Sequence, residues 1–342
     1  MQEGDVLWGT DRQRDKRLER SQLRQLLGTV GLTLLIFLVT AKLVSLPVTL
    51  LGWYWESRGV TVTSTLTQLV NMAGYSVSLL VPLLALVLML PTIPTAGARP
   101  PLFPLGRPRR GVFFPAMGVC LGVCSLSNYL SSWIMVQLRR SFPEAVPIYR
   151  ADIPTQGAGM VLGLISIAVL PAVMEELLFR GVILQAVRPF GDGFAILVSA
   201  LAFTLCHTTV PQLVPALLAG LLFGFFAVLS GSLWVTICIH CCYNLLAAAV
   251  ELAGVTGGTQ TQMSVSLTIT AVSLLWCAVG SVMLLLLHIL RRRRGPATER
   301  YRGALSLPER LLGLVSNIPL LIAAAALIWV TWGEVIKGVM AG

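Results

Sequence analysis

The chain has 342 residues, 56% of them hydrophobic and 12% charged, where a soluble domain carries about 25% charged residues. This composition excludes an ordinary water-soluble globule, and no polar block is long enough to form a soluble domain beside the apolar ones. The formal charge of +10 does not point to nucleic acid, because the basic residues stand at the ends of apolar segments instead of interleaving with aromatics on one face; they read as markers of membrane orientation.

In chain order, a basic stretch from Arg12 to Arg24 precedes the first apolar segment, 26–52. That segment exceeds the core of a cleaved signal, about 7 to 15 residues, and reads as a signal anchor. Further segments follow at 66–90, 112–138, 158–188, 194–209, 213–229, 232–251, 267–290 and 311–335, most of them near the roughly 20 residues that cross a bilayer core. The sequence therefore predicts an all-α polytopic transmembrane helix bundle of eight or nine helices. Its parts are a basic cytoplasmic N-terminus (1–25), N-terminal helices (26–156), a central block (157–251) and C-terminal helices (252–342) with a basic link at 291–310.

The Pro-rich link 91–111, with Arg99, Arg107, Arg109 and Arg110, and the link 291–310 are expected on the cytoplasmic side together with the N-terminus. Nine crossings then leave the C-terminus outside. The link 252–266 contains no Lys or Arg, as an outer link should, whereas 139–156 fits less well with Arg139, Arg140 and Arg150 partly balanced by Glu144 and Asp152. All seven cysteines, Cys120, Cys124, Cys206, Cys238, Cys241, Cys242 and Cys277, lie in apolar segments as small hydrophobes and imply no disulfide framework. The chain has no internal repeat of helix-bundle length, which disfavours repeat-built transporters.

Charges at bilayer depth are costly, so those retained there are the first candidates for function. Lys42 can snorkel to the interface beside Trp53, Tyr54 and Trp55, and Glu251, His288 and Glu334 lie near segment ends. The other five fall in PAVMEELLFRG (171–181), FTLCH (203–207) and HCCYN (240–244). On a helix Glu176 and Arg180 meet at i,i+4 while Glu175 points about 100° away from Glu176. Phe203 with His207, and His240 with Asn244, repeat the same spacing. Counting fourteen residues back from Pro189 to Glu175 and fourteen on from Gly193 to His207 places both on the order of 21 Å from their shared turn.

A carboxylate and an imidazole around one water form a general-base pair, and His240 with the Asn244 amide can donate to a developing oxyanion. The chemistry that fits is hydrolysis of an acyl bond. The competing reading is an interhelical polar cluster that serves only to join helices.

The three motifs resemble those of the CAAX protease and bacteriocin-processing family, also called Abi, of glutamate-dependent intramembrane endopeptidases: EExxxR, FxxxH and HxxxN/D on successive helices. Here they read Glu175-Glu176-x-x-x-Arg180, Phe203-x-x-x-His207 and His240-x-x-x-Asn244, in the family's order, with FRG at 179–181 also matching. The resemblance covers about residues 157–251 and implies an intramembrane peptidase acting on a membrane-associated protein or peptide, with no cofactor. It implies Glu175 and His207 as the water-activating pair, His240 and Asn244 as the oxyanion site, and Glu176, Arg180 and Phe203 in support. The lack of long polar loops and of a retention signal favours a bacterial plasma membrane.

Three rivals stand beside this reading. A zinc protease could use Glu175, His207 and His240 as ligands, but HExxH is absent and Arg180 would oppose a divalent cation. Cysteine catalysis is disfavoured because Cys206 and Cys241 point about 100° from their neighbouring histidines. A non-catalytic scaffold, immunity protein or transporter is the rival outside enzymology; on every reading the lipid bilayer is a partner and nucleic acid is not.

Overall fold

Near-continuous runs of Leu, Val, Ala and Ile satisfy their backbone polar groups internally only as helices when water is absent. The computed structural model describes residues 3–59, 63–91, 100–142, 153–291 and 303–341, and among them there are nine helices and no strand. They are α1 (Glu3–Ser57), α2 (Ser64–Met89), α3 (Phe113–Ser141), α4 (Gly157–Phe190), α5 (Asp192–Cys206), α6 (Val210–Ser230), α7 (Leu233–Arg291), α8 (Leu307–Val315) and α9 (Ile318–Ala341). Arg99, Glu144, Arg150 and Asp152, together with most of the basic link after α7, lie outside the described residues, as do the side chains of Arg12 and Glu334.

Six helices are long and apolar enough to cross a membrane, or seven if the α8–α9 pair, bent by 59°, counts as one span. The sequence led us to expect nine segments; the difference has three sources. At 15 residues α5 is short of a full crossing, α8 breaks away from α9, and the seventh and eighth segments are joined in α7. The expected outer link 252–266 is therefore corrected: these residues are helical, and the reversal is confined to Gly258, whose φ of +77° favours a residue without Cβ. A Cβ on Gly254 would lie 2.8 Å from the Gln262 side chain, although residues eight apart on a straight helix are separated by about 12 Å along its axis. Consequently α7 is a tight hairpin of two helical arms. The N-terminal boundary is corrected as well, since the basic residues before 26 continue the helix of the first span instead of preceding it.

Large apolar side chains such as Trp53, Leu88, Trp133, Trp234, Leu275 and Trp329 are exposed around the helices, the surface expected of a protein solvated by lipid. The chain is an integral membrane protein. Its buried core centres on α4, α5 and α6, where Leu178, Phe179, Ile183, Phe203, Phe223 and Phe226 are almost fully enclosed.

One end of the bundle gathers the stretches that the sequence reading placed in the cytoplasm. Segment 100–111 crosses the α6–α7 turn: Leu233 N–H donates to Pro104 O at 2.8 Å, Arg109 N–H to Ser230 O at 2.9 Å and Ser232 Oγ to Gly106 O at 2.6 Å. At the same end Glu19 of α1 accepts from the Ala304 and Leu305 amides, and Glu309 of α8 pairs with Lys16 and Arg20 at 3.2 Å each. Ser306 and Glu309 form a reciprocal capping box that starts α8.

Candidate active site

The central residues of α4 depart from regular α geometry. Ile165–Val169 and Glu176–Ile183 are π-helical, with the Leu170 amide bonding to Ile165 O and the Leu184 amide to Phe179 O. Such wide turns are uncommon and are found often at functional sites; here the second one begins at Glu176 and carries Arg180. The i,i+4 pairing expected from the sequence survives the widening, for Arg180 Nη1 donates to Glu176 Oε1 at 2.6 Å with both side chains fully enclosed.

The pair has further partners on other helices. Arg180 Nη2 approaches Gly220 O of α6 at 3.5 Å, and its guanidinium lies over the rings of Phe203 (4.2 Å) and Phe223 (5.3 Å). The missing side chain at Gly220 lets α5 and α6 approach closely, since a Cβ there would meet Ala200 Cα of α5 at 3.0 Å. His240, from the first arm of α7, directs Nδ1 at Glu176 Oε1 at 3.0 Å. A carboxylate oxygen only accepts, so Nδ1 carries the proton.

His240 Nε2 faces the other glutamate, 3.7 Å from Glu175 Oε2, beyond hydrogen-bond reach. Glu175 Oε1 accepts from the Tyr75 hydroxyl of α2 in a short hydrogen bond. Glu175 Oε2 is buried and has no hydrogen-bond partner, a circumstance that in native proteins asks for a functional or solvent explanation. Glu176 Oε2 is also without one, but its side chain is fully enclosed whereas that of Glu175 keeps 12% of its surface accessible. Of the two side chains, Glu175 is the less enclosed.

His207 lies just past the last turn of α5 and not within a helix as the segment 194–209 implied. Its Nδ1 lies 2.8 Å from Phe203 O, so Nδ1 donates and Nε2 keeps a free lone pair. Depth matching predicted that Glu175 and His207 converge; the two are not hydrogen-bonded to each other, and what links them is His240, which faces Glu175 and shares the Phe203 ring with His207. The Phe203 ring touches His207 at 4.5 Å and His240 at 6.0 Å between centroids, and stands edge-on to Phe179 at 5.2 Å. Asn244 is half-buried one turn beyond His240 and has no hydrogen-bond partner among the described residues.

The structure thus brings Glu175, Glu176, Arg180, Phe203, His207 and His240 together, while Lys42 and His288 are exposed and take no part. Three participants escaped the sequence reading: Tyr75, Phe223 and the Gly220 carbonyl. For Tyr75 a signal existed. Gln68, Tyr75 and Ser78 recur at intervals of seven and three residues, one face of α2, and Gln68 and Ser78 are buried. The zinc alternative with Glu175, His207 and His240 meets a geometric obstacle, because among the described residues no three His, Cys, Asp or Glu side chains converge as a ligand set.

Chemically, the arrangement offers one carboxylate oxygen free of hydrogen bonds, one imidazole with a free lone pair and a second imidazole held by an ion pair. Residues 157–246 match the family model described as type II CAAX prenyl endopeptidase Rce1-like, a family of peptidases. All the motif residues lie inside that stretch; Tyr75 lies outside it. Comparison with curated proteins and with solved structures returns no match.

Proposed function

We propose that this chain, an integral membrane protein with a peptidase family's segment at its centre, is an intramembrane endopeptidase that cleaves a membrane-associated protein or peptide with a glutamate-activated water. The observation that carries this reading is the Glu175 carboxylate, buried within the bundle with Oε2 free of hydrogen bonds and facing His240 Nε2. In the reaction Oε2 takes a proton from water as the oxygen attacks the scissile carbonyl carbon, and His207 Nε2 orients that water. The carbonyl electron pair moves onto oxygen. When the tetrahedral intermediate collapses, the carbon–nitrogen bond breaks and the proton held by Glu175 passes to the leaving amine.

Oxyanion stabilisation falls to His240 and Asn244. Because Nδ1 of His240 is spent on Glu176, Nε2 can donate only when the ring is doubly protonated; in that state Glu176 faces two cations, Arg180 and His240. The buried pair therefore supports the second histidine instead of touching substrate. Orientation follows from charge: the end formed by residues 16–24, 100–111 and 303–310 faces the cytoplasm, as expected for a bacterial plasma-membrane protein.

The test is a cleavage assay in detergent on membrane peptides that accumulate in cells lacking an active chain. Turnover that survives strong chelators and falls by about 10² to 10⁴ in Glu175→Gln is the expected result. Activity abolished by chelation and restored by zinc would remove the glutamate scheme, and a Glu175→Gln chain that still performs its cellular role would leave a scaffold.

A further inference from the structure

We propose that Tyr75 is a positioning residue of this site: its hydroxyl, delivered by a helix outside the family-matched segment, fixes Glu175 through Oε1 and so selects Oε2 as the oxygen that accepts the proton. The inference rests on the reading of Glu175 as the base and deepens it.

The contact is built into the way two helices lie together. α2 and α4 run side by side in the same direction, and a Cβ on Gly159 would meet Ser64 Oγ at 2.5 Å while one on Gly163 would sit 3.9 Å from the Gln68 side chain. Further along the same interface Tyr75 reaches Glu175. The small residues at 159 and 163 let the helices approach, so the tyrosine ring arrives at the carboxylate across a close contact and not by a long reach.

A glutamate side chain rotates freely enough that either oxygen can face a water, and a base shared between two orientations is correctly aimed only part of the time. Tyr75 supplies a stiff ring with a donor at its tip. With Oε1 engaged, Oε2 points toward His240 Nε2, where the proposed oxyanion donor also lies. Tyr75 is itself half-buried, and its hydroxyl ends on the carboxylate that no cation engages, the less enclosed of the two, leaving that carboxylate's other oxygen without a partner.

Tyr75→Phe keeps the ring and removes the hydroxyl. In the detergent assay kcat should fall by about tenfold to a hundredfold, the usual range for a group that orients a reactive one, with KM and the thermal unfolding midpoint unchanged. Tyr75→Met, which fills the space without the ring, should show the same loss. In single-turnover measurements the double variant Tyr75→Phe with Glu175→Gln should be no slower than Glu175→Gln alone, since a positioning residue has nothing left to position. An unchanged kcat in Tyr75→Phe beside an inactive Glu175→Gln overturns the inference and leaves the site reading intact. So does a change confined to KM, which would assign the hydroxyl to substrate, or a further loss in the double variant. A fully active Glu175→Gln instead removes the site reading, and the role of Tyr75 with it.

Discussion

Two groups of ion pairs occur in this molecule, and they differ in what surrounds them more than in what they contain. Glu176 and Arg180 meet at 2.6 Å with no exposed surface, with His240 and two phenylalanine rings closing the remaining sides. Lys16 and Arg20 meet Glu309 at 3.2 Å with the basic side chains 36% and 58% exposed. In the second cluster water and salt can replace either partner at little cost. In the first nothing can, because each charge is enclosed where only its designated partners compensate it. The peripheral helices are held by a different device: a Cβ on Gly31 of α1 would lie 2.4 Å from Leu320 N of α9, so those helices touch backbone to backbone.

The contrast can be broken most forcefully at Glu175. Glu175→Gln should reduce peptide turnover by about 10² to 10⁴, the contribution of a positioned general base, with an unfolding midpoint in detergent equal to that of the parent. Glu176→Gln should do the reverse in kind, lowering stability by about 3 to 5 kcal/mol because it leaves Arg180 enclosed and uncompensated; thermal and denaturant unfolding in detergent report it. If Glu176→Gln is stable and inactive while Glu175→Gln is unstable or active, the two carboxylates have exchanged roles.

Gly31→Leu sharpens the comparison in the periphery, where overfilling the α1–α9 contact should cost about 1 to 3 kcal/mol, read in the same unfolding assay, without altering kcat of the folded fraction. Lys16→Ala is the smallest change. It should leave both turnover and the unfolding midpoint unmoved, and raised salt should not distinguish it from the parent. A midpoint that falls with Lys16→Ala as far as with Glu176→Gln would erase the distinction between the two clusters.

Legibility in the sequence followed the range of each interaction. The Glu176–Arg180 pair was readable because both members lie on one helix four residues apart, and it persists even though the helix widens there into a π turn that no spacing rule announced. Convergence of Glu175 with His207 was argued from equal depth, yet depth fixes only one coordinate; helix tilt and rotation decided that Glu175 meets Tyr75 and faces His240. The stretch 252–266 reads as an outer link because it lies between two apolar segments and lacks Lys and Arg; polarity marks where the chain leaves the bilayer but not its local conformation, and the two helical arms of α7 continue through it up to the reversal at Gly258.

The sequence by itself determined that the chain lives in a membrane, that it is helical, and which motif residues are the candidates for its chemistry, because hydrophobic length and i,i+4 spacing are local properties written directly in residue order. Only the tertiary structure decided which glutamate is fully enclosed by its ion pair and which keeps an unpaired oxygen, that Tyr75 from α2 bonds the latter, and that Phe203 and Phe223 flank the arginine. Those outcomes depend on how close helices approach and how they turn about their axes, and that is set by the sum of side-chain contacts across the whole bundle.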